Sequence, residues 1–322
     1  MRILVTGGAG YVGSTLVPLL LGAGHEVRVV DSLMHGGQSL LGAWAQPGFE
    51  FRRIDVRDGA AVRDALAGRE AVVHLAAIVG DPACARDPEL ARGTNLEGSL
   101  GLLEAARASG VRRFVFASTC SNYGRLRDAT AFADEDSELA PVSLYAETKV
   151  AVERAMLDGA GKGGMCVTPL RFATVFGTSP RMRFDLTVNE FTAELVVRRR
   201  LVVYGEQFWR PYVHVRDAAR AVAAVLEAPE EAVCGRVFNV GDTGQNFQKQ
   251  QIVDLIRPFA PDASVEYVHR TEDPRDYRVT FSRIRDELGF TITRSVAEGI
   301  AEVARLVEDG VPGDFTDPRY RN

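Results

Sequence analysis

The chain has 322 residues, of which 46% are hydrophobic, 25% charged and 8% aromatic, which is material for one large domain or two closely joined ones. That composition excludes a disordered or collagen-like chain. With 38 basic and 43 acidic residues the formal charge is −5, so no global attraction for nucleic acid or a membrane surface is expected and neither is taken as a partner.

Arg2-Ile3-Leu4-Val5 reads as a buried strand from the outset, and no basic, apolar leader precedes it. A soluble, untargeted, cytoplasmic protein is the expectation. Further strands are predicted at Glu26–Val30, Phe49–Ile54, Ala71–Leu75, Phe114–Ala117 and Cys166–Leu170. Helices are predicted from about Val12, near Leu96–Ala108 and from about Leu144. Such alternation predicts an α/β fold: a doubly wound parallel sheet of the Rossmann type with helices on both faces. Pro18 falls inside the first helical pattern and should cost about 3 kcal/mol or force a kink. After Gly177 the pattern loosens, with helices expected around Val188–Arg198, Ala218–Leu226 and Gln250–Phe259 and a strand at Leu201–Tyr204. The division that follows assigns 1–177 to a dinucleotide-binding domain, with 205–260 partly folding back onto it. Residues 178–204 and 261–322 form a smaller, partly interleaved α/β substrate domain, and the ligand is expected between the two.

Thr6-Gly7-Gly8-Ala9-Gly10-Tyr11-Val12-Gly13 links the first strand to the first helix. Gly7, Gly10 and Gly13 would let the backbone approach a pyrophosphate, and the helix start at Tyr11 and Val12 offers N–H groups to it. A glycine-rich turn can also be a plain connection. Asp31, at the end of the second strand, is placed to bind both adenosine ribose hydroxyls and would repel a 2′-phosphate, which favours NAD over NADP. Asp55-Val56 lies near the expected adenine, although an aspartate there also suits a helix cap. Leu75, Ala76 and Ala77 would let a cofactor lie against the backbone, and His74 reads as structural.

Tyr145 and Lys149 are four residues apart and share one helix face. A phenol of reference pKa about 10 becomes a base only beside a cation, here Lys149 or an oxidised nicotinamide. Phe114–Gly124 ends where a nicotinamide lies in such a fold, and Thr119 offers it a hydroxyl. The four cysteines, Cys84, Cys120, Cys166 and Cys234, are too scattered to suggest a zinc site or a disulfide framework, so no metal and free thiols are expected.

Taken together these residues resemble the extended short-chain dehydrogenases/reductases, in the branch of nucleotide-sugar epimerases and dehydratases. The likeness includes the glycine loop, Asp31, Asp55-Val56, His74–Ala77, Asn95, the Thr119 strand end and Tyr145/Lys149. It continues through Leu170-Arg171, Val175–Gly177, Arg210–Asp217, Phe238–Gly241 and Arg270–Asp273. The resemblance implies NAD as cofactor, with Asn95 in its site, and a nucleoside-diphosphate sugar as substrate. It makes Thr119, Tyr145 and Lys149 the catalytic set, with Tyr145 taking a sugar hydroxyl proton and Lys149 also holding the nicotinamide ribose. Arg210 and Arg270 would grip the nucleotide diphosphate and Asp273 the nucleotide ribose. A homodimer through the helices near Leu96–Ala108 and Tyr145–Leu157 is implied as well.

Three departures bear on the reaction. Cys120-Ser121 stand where 4,6-dehydratases carry Asp-Glu, Thr174 replaces the usual Asn, and Cys120 lies one residue from a cysteine that some relatives use for proton exchange beside a ketone. Cys120 is therefore either such an acid/base or an inert buried thiol. Arg183 and Asn189, in the stretch 181–189, are candidates for the sugar or its phosphates, or part of a solvated loop. Arg198–Arg200 read as a helix end, and Arg275 and Arg278 are weaker contact candidates. The leading expectation is a C4 epimerase working through a transient 4-keto sugar. A 4-ketosugar reductase, a dehydratase, a 3/5-epimerase and a non-catalytic NAD-sensing module are the alternatives.

Overall fold

The computed structural model describes residues 1–126, 128, 131–161, 164–270 and 276–322. In chain order the strands are β1 (Arg2–Thr6), β2 (Glu26–Asp31), β3 (Phe49–Arg53), β4 (Ala71–His74), β5 (Arg113–Thr119), β6 (Cys166–Phe172), β7 (Thr174–Phe176), β8 (Arg200–Tyr204), β9 (Trp209–His214), β10 (Phe238–Val240), β11 (Asn246–Gln248) and β12 (Ser264–Val268). Seven of them form one sheet in the order β10-β6-β5-β4-β1-β2-β3, with every pairing parallel. The order reverses between β1 and β4, and a crevice at such a switch point is where a doubly wound sheet binds its ligand.

Strand residues alternate between two cores. Ile3, Val5, Val29 and Val73 face one side, packed under the helices Gly13–Gly22 and Val215–Glu227. Leu4, Val30, Val72 and Phe116 face the other, under the helices Gly59–Leu66, Ser99–Ala108 and Leu144–Asp158. Burial on both faces explains the near-continuous apolar strands. Pro18 neither ends nor replaces the first helix, which runs on to Gly22. Its buried neighbours Leu16, Val17, Leu20 and Leu21, at roughly 2 kcal/mol each, outweigh the proline's cost.

A third core forms the smaller half of the molecule. It joins the helices Thr187–Ala193, Lys249–Ile256 and Val296–Glu308 through Phe184, Val188, Ile252, Ile300 and Val303. Two small sheets border it: β11-β9-β7, and β12 paired parallel with β8. The chain passes repeatedly between the halves. Helix 215–227 and β10 join the large sheet, the 249–256 helix joins the small core, and Phe281, Ile284 and Phe290 return to the large one.

The helix predicted near Leu96–Ala108 is the end of a longer one, which starts at Pro88 and runs without a break through a π-type stretch at Gly93–Gly98 into Ser99–Ala108. No strand was read from the sequence at β7 or at β9 to β12, and no helix at Ser282–Leu288 or Val296–Glu308. Among the described residues no helix is long and apolar enough to cross a membrane.

Candidate active site

Register brings Thr6, Val30 and His74 side by side, so β1, β2 and β4 end together at one edge of the sheet. The loop after β1 has no room for side chains. Gly7 adopts φ +72°, and a Cβ there would lie 2.7 Å from the Ala76 nitrogen. A Cβ on Gly13 would lie 2.3 Å from the Gly7 oxygen. Gly10 donates to the Gly7 carbonyl and accepts from Ser14, which turns the chain into the helix whose N-terminus, at Tyr11 and Val12, opens on the crevice.

Asp31 accepts from the amides of Leu33 at 2.8 Å and Ala9 at 3.0 Å. Burial pushes its carboxyl above the ordinary aspartate value, against the pull of those two bonds and of the Arg181 charge. Asp55 is held by Arg57 through bonds of 3.0 and 2.6 Å, and that partner holds its carboxyl below the usual range. The helix cap at this end of β3 is Asp58, which accepts from Ala60 and Ala61, and not Asp55. Val56 is buried nearby.

Past β4, Leu75 donates to the Thr6 carbonyl, while Ala76 and Ala77 remain partly open to the crevice. His74 is enclosed between the Thr6 and Ser99 hydroxyls at 2.7 and 2.8 Å, and burial, with a lesser push from Lys149, holds it down to about 3. It stays neutral and joins two elements. Asn95, in the π-type turn, accepts from the Ile78 amide at 2.7 Å and donates to the Ile78 carbonyl at 2.9 Å, which fixes the wall beyond Ala77.

The reacting end is built on β5 and the Leu144–Asp158 helix. Ser143 caps that helix by accepting from Ala146, which places Tyr145 in its first turn. The Lys149 ammonium donates to the Ala117 carbonyl at 2.8 Å and lies 4.5 Å from the Phe116 ring centre and 5.9 Å from that of Tyr145. Burial brings Lys149 down to about 7, and burial raises the Tyr145 phenol, opposed by the charge of Arg183. A further cation in the crevice is what would bring the phenol toward neutrality.

Thr119 ends β5, and its hydroxyl oxygen accepts from the Ser121 amide at 3.1 Å. The next side chain turns away: the Cys120 thiol is buried in the large core, bonded to the Arg171 carbonyl at 3.2 Å, and burial lifts it well above an ordinary thiol. Ser121 shares a hydrogen bond of 3.3 Å with the Tyr277 hydroxyl. The Tyr277 ring in turn carries the Arg210 guanidinium at 5.4 Å, so one residue connects the end of β5 to an arginine from β9.

Beneath the reacting end lies a buried polar network. Arg171 of β6 makes a salt bridge to Glu153 on the Tyr145 helix, with the two side chains 4% and 1% exposed. Glu153 also accepts from Ser118 at 2.7 Å, and Arg171 donates to the Tyr123 hydroxyl at 2.9 Å and the Glu135 carbonyl at 3.1 Å. Glu153, Glu135 and Tyr277 escaped the sequence reading, and Asn239 entered it only within Phe238–Gly241, with no role. Glu153 alone had a local signal, since positions 145, 149 and 153 follow one helix face.

The remaining candidates sit as follows. Thr174 is half-buried on β7. Asn189 is fully buried and spends its amide on the Tyr11 hydroxyl, the Arg183 carbonyl and Gly177, so it reaches no crevice. Arg183 is clamped by Asp185 through two 2.9 Å bonds, close enough for its charge to act on both Tyr11 and Tyr145. Arg270 is exposed and stacks 5.3 Å from the Tyr204 ring centre. Asp273 and Arg275 lie outside the described residues. Arg278 stacks between Phe132 and Trp209. A separate cavity of about 510 Å³, lined in part by Thr15, Pro18, Arg216 and Leu306, shares no residue with the Thr119–Tyr145–Lys149 group.

The glycine cradle, the carboxylate at the end of β2 and the small residues after β4 fit a dinucleotide, and the phenol beside them fits proton transfer to or from a hydroxyl. Comparison with known proteins agrees. Residues 3–241 match the family model described as the NAD dependent epimerase/dehydratase family. The chain is 31% identical over 319 residues to the UDP-glucose 4-epimerase of Corynebacterium glutamicum, covering 94% of each. It is 33% identical over 309 residues to the dTDP-glucose 4,6-dehydratase of Streptomyces griseus, covering 93% of this chain and 92% of that one. The dTDP-glucose 4,6-dehydratase DesIV of Streptomyces venezuelae, solved with NAD bound, superimposes with a TM-score of 0.86 at 28% identity, over 98% of this chain and 99% of that one.

Proposed function

The chain belongs to the NAD-dependent epimerase/dehydratase family, and on that premise we propose that it is a nucleoside-diphosphate-sugar epimerase inverting C4 through a transient 4-keto sugar. The observation that carries this reading is the chemistry next to Thr119. Elimination of water needs an acid and a base there, and the two following side chains are a thiol sealed in the core and a serine hydroxyl paired with Tyr277. Epimerisation at C4 needs neither.

The cofactor's place is taken by the Gly7–Gly13 loop, Asp31 and the wall of Leu75, Ala76 and Ala77. When bound, NAD supplies the redox chemistry, taking two electrons from the sugar carbon and giving them back. Tyr145 holds the C4 hydroxyl and takes its proton at Oη, and returns it in the reverse half of the cycle. Lys149, anchored on the Ala117 carbonyl, fixes the nicotinamide ribose and adds positive charge below its pKa of about 7. Thr119 steadies the reacting oxygen, and Arg210, with Arg270 beyond it, binds the diphosphate. We further propose a cytoplasmic homodimer joined through the Ser99–Ala108 and Leu144–Asp158 helices, where Leu100, Gly101, Ala151 and Ala155 leave a small, partly open face.

The test is to incubate the purified protein with UDP-, dTDP-, GDP- and CDP-hexoses, with and without added NAD(H), and follow products by mass spectrometry and NMR. An epimer of unchanged mass with no net NADH consumed supports the proposal. Loss of water would make it a dehydratase, external NADH consumption a reductase, and solvent deuterium at C3 or C5 a 3/5-epimerase. Undiminished turnover in Tyr145→Phe would remove the mechanism altogether.

A further inference from the structure

Two cysteines that stand 68 residues apart in sequence meet in the fold. Cys166 opens β6, and Cys234 ends the short Glu230–Val233 helix that leads toward β10. The Gly235 amide donates to the Val167 carbonyl at 2.9 Å, and the Thr168 hydroxyl donates to the Val233 carbonyl at 2.9 Å. The segment around 234 therefore runs against the start of β6. Backbones joined in this way lie about 5 Å apart, within the span that a disulfide bridges. Both side chains belong to one apolar core, Cys166 within it and Cys234 packed against it, and the parallel register of β10 on β6, Phe238 beside Leu170, carries back to Cys234 beside Cys166. Both are free, Cys166 buried and Cys234 partly open to solvent.

We propose that Cys166 and Cys234 form an oxidisable dithiol, a modification site that hydrogen peroxide converts to a disulfide tying β6 to the segment before β10. Access fixes the order of events. The partly exposed Cys234 sulfur attacks peroxide; an S–O bond forms, the O–O bond breaks, and the departing hydroxide leaves as water with the thiol proton. Cys166 sulfur then attacks Cys234 sulfur; the S–S bond forms, the S–O bond breaks and a second water leaves. Two thiols lose two electrons, and one peroxide becomes two waters. Burial and the neighbouring sulfur push the Cys166 thiol up to about 12, so this second step is slow at neutral pH.

The pair sits at the edge of the sheet opposite the reacting end. Cys166 aligns with Arg113 at the start of β5, whereas Phe172, six residues on, aligns with Thr119. At about 3.3 Å per residue that separates the dithiol from the catalytic threonine by roughly 20 Å. The link is thus a brace and not a barrier to ligand.

The experiment treats the NAD-loaded full-length protein with peroxide and then unfolds it for thiol titration and peptide mapping. Of the four cysteines, two should disappear with the loss of two hydrogens in mass, joined as a Cys166–Cys234 peptide that dithiothreitol releases. Tm should rise by about 5 °C and return on reduction. Cys234→Ser should abolish both changes, and Cys166→Ala should do the same should the first variant fold poorly. Oxygen added at Cys234 with Cys166 left free, a link between any other pair, no oxidation at all, or a link without a rise in Tm would overturn the proposal.

Discussion

The two ends of the crevice are built from different materials. At the cofactor end the work is done by backbone: glycines that leave no room for Cβ atoms, a helix start and amides bonded to Asp31. At the reacting end it is done by side chains, with Tyr145 and Lys149 standing on Glu153, Arg171 and Ser118, drawn from one helix and two strands. A backbone site tolerates change everywhere except at the positions that must be small. A side-chain site is only as firm as the partners buried beneath it.

The sharpest blow falls on the side-chain end. Tyr145→Phe removes the proposed proton carrier while leaving the ring, and turnover should fall by about 10³-fold with nucleotide-sugar affinity retained, read from kcat and KM separately. Glu153→Gln touches no ligand, yet it leaves Arg171 charged and buried without its counter-ion. It should cost about 3 kcal/mol, seen as a denaturation midpoint lower by roughly 6–12 °C. A loss confined to activity would show that the network does not support the fold.

At the backbone end, Gly7→Ala forces a side chain into the left-handed region and against Ala76. NAD retained through purification, measured after denaturation, should drop by about tenfold, while Tyr145 chemistry with saturating NAD survives. The last effect is a slope. Lys149 sits at about 7 in the folded chain against a reference of about 10.4, so between those values the unfolded chain binds more protons and stability rises with pH. The penalty is therefore fully present below about pH 7 and fades above it. The Tm advantage of Lys149→Met over the parent should shrink steadily from pH 7 to pH 9, and a constant gap would contradict the burial of that charge.

The same contrast explains what was legible in the sequence. Glycine spacing, Asp31 and the Tyr145/Lys149 step are local, so short-range rules find them. Cys120 needed its neighbours: only the fold shows its thiol turned to Arg171 while Thr119 and Ser121 stay at the crevice. Asn189 looked free for ligand because its partners, Tyr11 and Gly177, lie 178 and 12 residues away. Three-residue strands such as β7, β10 and β11 are too short for alternation to register. The Val296–Glu308 helix did carry a signal, the Ser295/Glu298 capping box followed by Val296, Ile300, Val303 and Val307 on one face.

The Tyr11 hydroxyl donates to the Gly177 carbonyl at 2.5 Å and accepts from Asn189 at 3.1 Å, which bolts the glycine-rich turn to the first residues of the smaller half. Swinging that half aside to release a dinucleotide means drawing the bolt. In the proposed cycle the same NAD must serve outward and return strokes, and this fastening makes it a resident part rather than a visitor, so that sugars come and go past a carrier that stays.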